Sequence, residues 1–154
     1  MLIHMMVVSW SSSQYDTFFF QYLVGKLLDY VTDVAYSKRV LIVTYLESRV
    51  TIVSFGKDVD LETTDVSLSQ CDPKITVIDM LGPPGKRLNR SILLSKDSSL
   101  VAFWWPISGQ EVFPWTPQMK EEDRANVMLY SLKNPSQPSR LGFIRTHSDP
   151  IGFR

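Results

Sequence analysis

The amino-acid sequence predicts an all-β protein: two four-stranded antiparallel blades, with flanking strands, of an incomplete β-propeller. Three observations point there. Residues 31–55, VTDVAYSKRVLIVTYLESRVTIVSF, are dominated by Val, Ile, Thr and Tyr and are broken only by the polar turns SKR and ESR. A Gly/Pro cluster, LGPPG, closes this first group of strands. The order of short strand, charged turn and longer apolar strand then starts again at residue 91. Successive four-stranded meanders are the signature of radially repeated blades, each burying its faces against its neighbours.

The opening MLIHMMVVSW is apolar but short, lacks a basic start and runs into the polar SSSQYD, so it reads as a strand and not as a targeting segment. With TFFFQYLV it supplies the end of a preceding blade over residues 1–24. Strands follow at 31–36, 40–46 and 50–55, because β-branched side chains lose rotamer freedom in a helix and pack well on a pleated sheet. Residues 57–72 are polar and acidic and read as a surface loop. KITVIDM at 74–80 is the fourth strand, ended by Gly and Pro residues that cannot continue a ladder, which makes 31–80 one blade. SILLSKD at 91–97, SSLVAFWWP at 98–106, NVMLYSL at 126–132 and RLGFIRT at 140–146 make the second blade, 91–146. Residues 147–154, ending in DPIGFR, begin the next.

Propellers close with about four to eight blades. Two blades and part of a third therefore leave three readings: a fragment of a longer ring, a ring completed by another chain, or a β-sandwich. An incomplete ring exposes an apolar blade face and unpaired strand edges, and so predicts association when the chain is made alone.

The chain has 154 residues, enough for one domain with a core. Sixteen basic and sixteen acidic side chains cancel, and no segment holds five like charges, so no global field draws in nucleic acid. Cys71 is the only cysteine, which excludes an internal disulfide and fits a reducing, intracellular compartment. No stretch approaches the roughly 18 apolar residues that cross a bilayer.

Chemistry-bearing patterns are few. His4 and His147 are far apart and neither adjoins a carboxylate cluster, so no metal site is expected, and no spacing brings either to Cys71. GPPGK at 82–86 has the Gly and Lys of a phosphate loop but the wrong spacing, and two prolines remove the N–H donors such a loop needs. Lys86, Arg87 and Arg90 form a small basic cluster, open to an anionic lipid headgroup or to a solvated turn. Glu121, Glu122 and Asp123 are consecutive on a loop and do not converge on one reacting group. No catalytic residue and no cofactor is expected.

Two clusters stand out as structural or interaction candidates. In AFWWPISGQEVFPWTP, Trp104 and Trp105 are adjacent and point to opposite faces if they share one strand, which suits a blade interface better than a cation cage. Pro106 ends that strand and Trp115 anchors the return. In EEDRAN, Asp123, Arg124 and Asn126 lie at a strand entrance, where charge-assisted hydrogen bonds can fix a long loop.

The order of LVGK at Leu23–Lys26, the two-hairpin blade, WWP at Trp104–Pro106, PWTP at Pro114–Pro117 and EDRAN at Glu122–Asn126 resembles the N-terminal propeller of the WD repeat-containing planar cell polarity effector family, the homologs of Fritz. The similarity spans about residues 20–132, and Phe113 departs from it where a second tryptophan is expected before PW. The resemblance implies a WD-type propeller and a non-enzymatic scaffold. It implies Inturned-like and Fuzzy-like partners in the ciliogenesis and planar polarity effector complex, recruitment of intraflagellar transport proteins to basal bodies, and links to septins and phosphoinositide membranes. The places it implies are the cytoplasm, the cytoskeleton, the basal body or cilium axoneme, and the plasma membrane as a peripheral protein. A phosphoinositide-binding membrane-surface module is the alternative function.

Overall fold

A computed structural model describes residues 31–58, 72–79, 87–107, 117–118 and 120–148. β1 (Val31–Tyr36), β2 (Val40–Tyr45), β3 (Val50–Phe55) and β4 (Pro73–Ile78) form one sheet in that order. β5 (Ser91–Leu94), β6 (Leu100–Trp104), β7 (Val127–Ser131) and β8 (Ser139–Ile144) form the second, also in sequence order. Every neighbouring pair is antiparallel. The fold is all-β, as two four-stranded meanders in the manner of partial WD-type propeller blades.

Register decides which side chains meet. Ile42 lies opposite Ile52, and Thr44 opposite Val50, so Val40, Ile42, Val50 and Ile52 share one face of the first sheet. On the second sheet Val101 lies opposite Tyr130 and Phe103 opposite Met128. These two faces pack into one buried cluster, which also takes in Leu88, Trp105, Ala125 and Leu132. The opposite side chains of β2 and β3 are buried as well, so both strands are covered on both faces. Each fully buried Val or Ile contributes about 1.5–3 kcal/mol relative to an exposed one.

The sheets are also joined by hydrogen bonds. β1 lies against β5, and the Ile92 N–H donates to Asp33 Oδ2 at 2.8 Å. At the turns, the Ser98 hydroxyl donates to the Ser37 hydroxyl at 2.7 Å. Farther out, Thr76 Oγ1 donates to the Ser136 carbonyl at 3.3 Å, so the β7–β8 turn rests on β3 and β4.

Several strand boundaries differ from the sequence reading. β4 starts at Pro73, where a missing N–H costs least at the first residue of a strand, and ends at Ile78, not at residue 80. β5 stops at Leu94 instead of residue 97, and β6 starts only at Leu100. The reason is a local turn: Ser95 Oγ, Ser99 Oγ and the Ser99 N–H all donate to the Asp97 carboxylate, and Ser98 takes a left-handed φ of 59°. β6 ends at Trp104, leaving Trp105 just past the strand. β7 and β8 are Val127–Ser131 and Ser139–Ile144, one or two residues shorter or shifted from expectation. Glu121–Arg124, expected as plain loop, form a 3-10 turn. The flanking strands expected over 1–24 and beyond 148 lie outside the described residues. Among the described residues no helix is long and apolar enough to cross a membrane.

Candidate functional site

The densest polar construction lies at the junction of the two sheets and centres on Arg90. Upstream of β5 burial alternates: Arg87 and Asn89 are exposed, whereas Leu88 and Arg90 are buried. Arg90 is 0% exposed. Its Nη1 donates to the carbonyls of Leu46 at 2.9 Å, Glu47 at 3.1 Å and Leu88 at 3.4 Å, and its Nη2 donates to Ser48 Oγ at 3.3 Å. The guanidinium carbon lies 5.4 Å from the centre of the Trp105 ring. The carbonyl of Arg90 in turn accepts from Thr32 Oγ1 at 2.8 Å and Thr44 Oγ1 at 3.2 Å. One residue therefore ties the β2–β3 turn, β1 and β2 of the first sheet to the tryptophan of the second.

Burial lowers the Arg90 pKa to about 10, because the charged form is disfavoured away from water. It remains protonated at neutral pH, held by carbonyl dipoles and by the indole face. This placement corrects the expectation that Lys86, Arg87 and Arg90 form a surface cluster for anionic lipid. Arg90 points inward, Arg87 is exposed, and Lys86 lies outside the described residues.

The two adjacent tryptophans of the aromatic stretch have different surroundings. Trp105 is 0% exposed and continues the face of Val101 and Phe103, whereas Trp104 and Pro106 are half-buried. Trp115 lies outside the described residues, as does Cys71. His147 is exposed in a bend after β8. Among the described residues, no three His, Cys, Asp or Glu side chains gather as a metal site would require.

Asn126 is the second tie. Its carbonyl accepts from the Trp105 N–H at 3.0 Å, and its N–H donates to the Ile144 carbonyl at 3.0 Å. The side-chain Nδ2 donates to the Trp105 carbonyl at 3.2 Å and to Thr146 Oγ1 at 2.7 Å, while Oδ1 accepts from the Thr146 N–H at 2.8 Å. Fully buried, Asn126 joins β6, β7 and β8 beyond the ends of their ladders. The neighbouring 3-10 turn is fastened by an ion pair that the sequence did not suggest, Arg140 Nη1 to Glu122 Oε2 at 2.8 Å. Asp123 and Arg124 are half-buried in that turn.

With this geometry in hand, comparison with known proteins is decisive. Residues 1–154 match the family model described as WD repeat-containing and planar cell polarity effector protein Fritz. The chain belongs to the Fritz family. The match extends beyond the stretch of about residues 20–132 over which the motifs carried the resemblance. Among Fritz relatives, the Xenopus laevis fritz homolog is 33% identical over 132 residues, covering 82% of this chain and 18% of that protein. The Mus musculus fritz homolog is 31% identical over 134 residues, 84% of this chain and 18% of that protein. Drosophila melanogaster fritz is 25% identical over 134 residues, 86% of this chain and 14% of that protein. The chain thus spans less than a fifth of the length of these Fritz relatives.

Proposed function

We propose that this chain is a non-enzymatic scaffold segment of a Fritz-like planar cell polarity effector. In this reading it acts in cilium assembly through the ciliogenesis and planar polarity effector complex, and in septin organisation. The observation that carries the reading is the family match over the whole chain, joined to a pair of sheets whose buried polar groups serve as internal ties, Arg90 between the sheets and Asn126 within the second. Rigid platforms of this kind leave their turns free to bind. The partners of this reading are Inturned-like and Fuzzy-like proteins and intraflagellar transport proteins, at the cytoskeleton, basal body or cilium axoneme. The alternative reading, a phosphoinositide-binding module at the plasma membrane, rests on Lys86 and Arg87 alone once Arg90 is turned inward.

Co-purification of the full-length polypeptide with Inturned and Fuzzy homologs tests the scaffold reading. Both partners are expected in the purified material. Reproducible absence of both, with a correctly folded protein, overturns it.

A further inference from the structure

Most serine hydroxyls of this fold are engaged within it. Ser37, Ser54, Ser95, Ser98, Ser99 and Ser136 all use theirs in hydrogen bonds. Among the described residues, the exposed serines and threonines are Ser139 and Ser148. Ser139 lies within β8, and no basic residue stands among the five before it. Ser148 lies four residues past the end of β8, in the run RTHSDP at 145–150.

The two hydroxyls of that run differ. Thr146 is fastened: its N–H donates to Asn126 Oδ1 at 2.8 Å, and its Oγ1 accepts from Asn126 Nδ2 at 2.7 Å and donates to the Ser148 carbonyl at 2.6 Å. The Ser148 hydroxyl makes no hydrogen bond among the described residues, and Arg145 and His147 beside it are exposed. Nor does a following sheet close the end of such a strand. Ile144 lies opposite Val127 as Ile78 lies opposite Val50, so Arg145 takes the place of Asp79. Asp79 is exposed with the second sheet already packed on the first.

The spacing has a chemistry of its own. A guanidinium three residues ahead of a serine is a cation for the acidic rim of an arginine-directed protein kinase. A phosphoserine carries about −1.5 to −2 charges and three acceptor oxygens, which the arginine clusters of phosphoserine readers such as the 14-3-3 class bind. A proline two residues on has a fixed φ and no N–H, so it suits the point at which a chain leaves such a groove.

We infer that Ser148 is a phosphorylation site, and that the phosphorylated run 145–150 docks in an arginine-lined phosphoserine-reading groove of a partner protein. In the transfer, Ser148 Oγ attacks the γ-phosphorus of ATP. The Oγ–P bond forms as the bond from that phosphorus to the β,γ-bridging oxygen breaks, ADP leaves, and the hydroxyl proton passes to the catalytic carboxylate of the kinase.

Incubation of the full-length polypeptide with magnesium ATP and a calmodulin-dependent protein kinase, followed by mass spectrometry, tests the site. Phosphate is expected on Ser148 and not on Thr146, and Arg145→Ala should slow incorporation by about tenfold. Binding of the product to a 14-3-3 protein, read by fluorescence anisotropy, tests the docking. Phosphorylation should tighten binding by about a hundredfold or more, and Pro150→Ala should weaken it severalfold with incorporation unchanged. Circular dichroism should show both variants folded like the unaltered chain. Absence of phosphate on Ser148, or its appearance on Thr146 instead, overturns the site. A phosphorylated chain that binds no better than the unmodified one overturns the docking, and so does binding that persists in Ser148→Ala.

Discussion

The guanidinium of Arg90 stacks 5.4 Å from the centre of the Trp105 ring, and both side chains are fully removed from solvent. The contact crosses from the segment that links the two sheets to the end of β6. A buried cation is tolerated here because backbone carbonyls of Leu46, Glu47 and Leu88 accept from its nitrogens. Arg90→Ala leaves those carbonyls without their donor and is expected to cost about 2–4 kcal/mol in urea unfolding. Arg90→Lys keeps the charge but loses the planar fork and the stacking, and should recover only part of that stability. Flotation on anionic liposomes should be the same for Arg90→Ala as for the unaltered chain, at conditions where both are folded. Selective loss of flotation would return Arg90 to the membrane surface.

Trp105 and Trp104 are neighbours in sequence with different surroundings. Trp105 is 0% exposed, and its indole N–H makes no hydrogen bond among the described residues. Trp105→Ala opens a large cavity in the junction and is expected to cost about 3–5 kcal/mol. Trp105→Phe should cost clearly less, since it keeps most of the packing and removes an unpaired donor. Trp104→Ala, at a half-buried position, should cost about 1–2 kcal/mol. Denaturant titration of the three variants checks the order, and equal losses at 104 and 105 would contradict it.

The fold was legible because period-two patterning and β-branched runs carry most of the signal, and both hairpins of 31–55 lie where the alternation puts them. The end of β5 was not legible from apolar content, because Ser95, Asp97 and Ser99 bond among themselves and turn the chain before the ladder can continue. Arg90 was misplaced for a different reason. Its nearness to Lys86 and Arg87 suggests one solvated patch, yet two-residue alternation already groups Arg90 with Leu88 and separates it from Arg87. The bonds of Asn126 to Thr146 and of Asp33 to Ile92 join residues 20 and 59 positions apart, and no local pattern encodes such pairs.

Asn126 offers both a donor and an acceptor to a buried site, whereas an ionised carboxylate of the same shape offers acceptors alone. Asn126→Asp removes the donor to the Trp105 carbonyl and places a carboxylate beside it. A loss of about 2–3 kcal/mol is expected. Thr146→Val should cost less, since the Thr146 N–H still reaches Oδ1. Thermal unfolding gives the order, and amide exchange at Thr146 should accelerate in Asn126→Asp more than exchange within β2. Uniform acceleration across both sheets would mean that Asn126 acts only through global stability.

Asp97 makes the β5–β6 turn sensitive to acid. The hydroxyl of Ser95, then the hydroxyl and N–H of Ser99, hold its carboxyl down from 3.8 to about 2. In the unfolded chain these bonds are absent, and the carboxyl takes up its proton near the ordinary value. Between about pH 4 and pH 2 the unfolded state therefore binds more protons than the folded state, so the contribution of Asp97 is complete above that window and is lost as pH falls through it. The carboxylate is solvent-exposed, so salt screens the contribution and keeps it modest. Urea midpoints measured from pH 6 to pH 2 should show Asp97→Asn less stable than the unaltered chain at pH 6 and the gap closing below about pH 4. A gap that stays constant down to pH 2 would show that the side chain holds the turn through its shape and not through its charge.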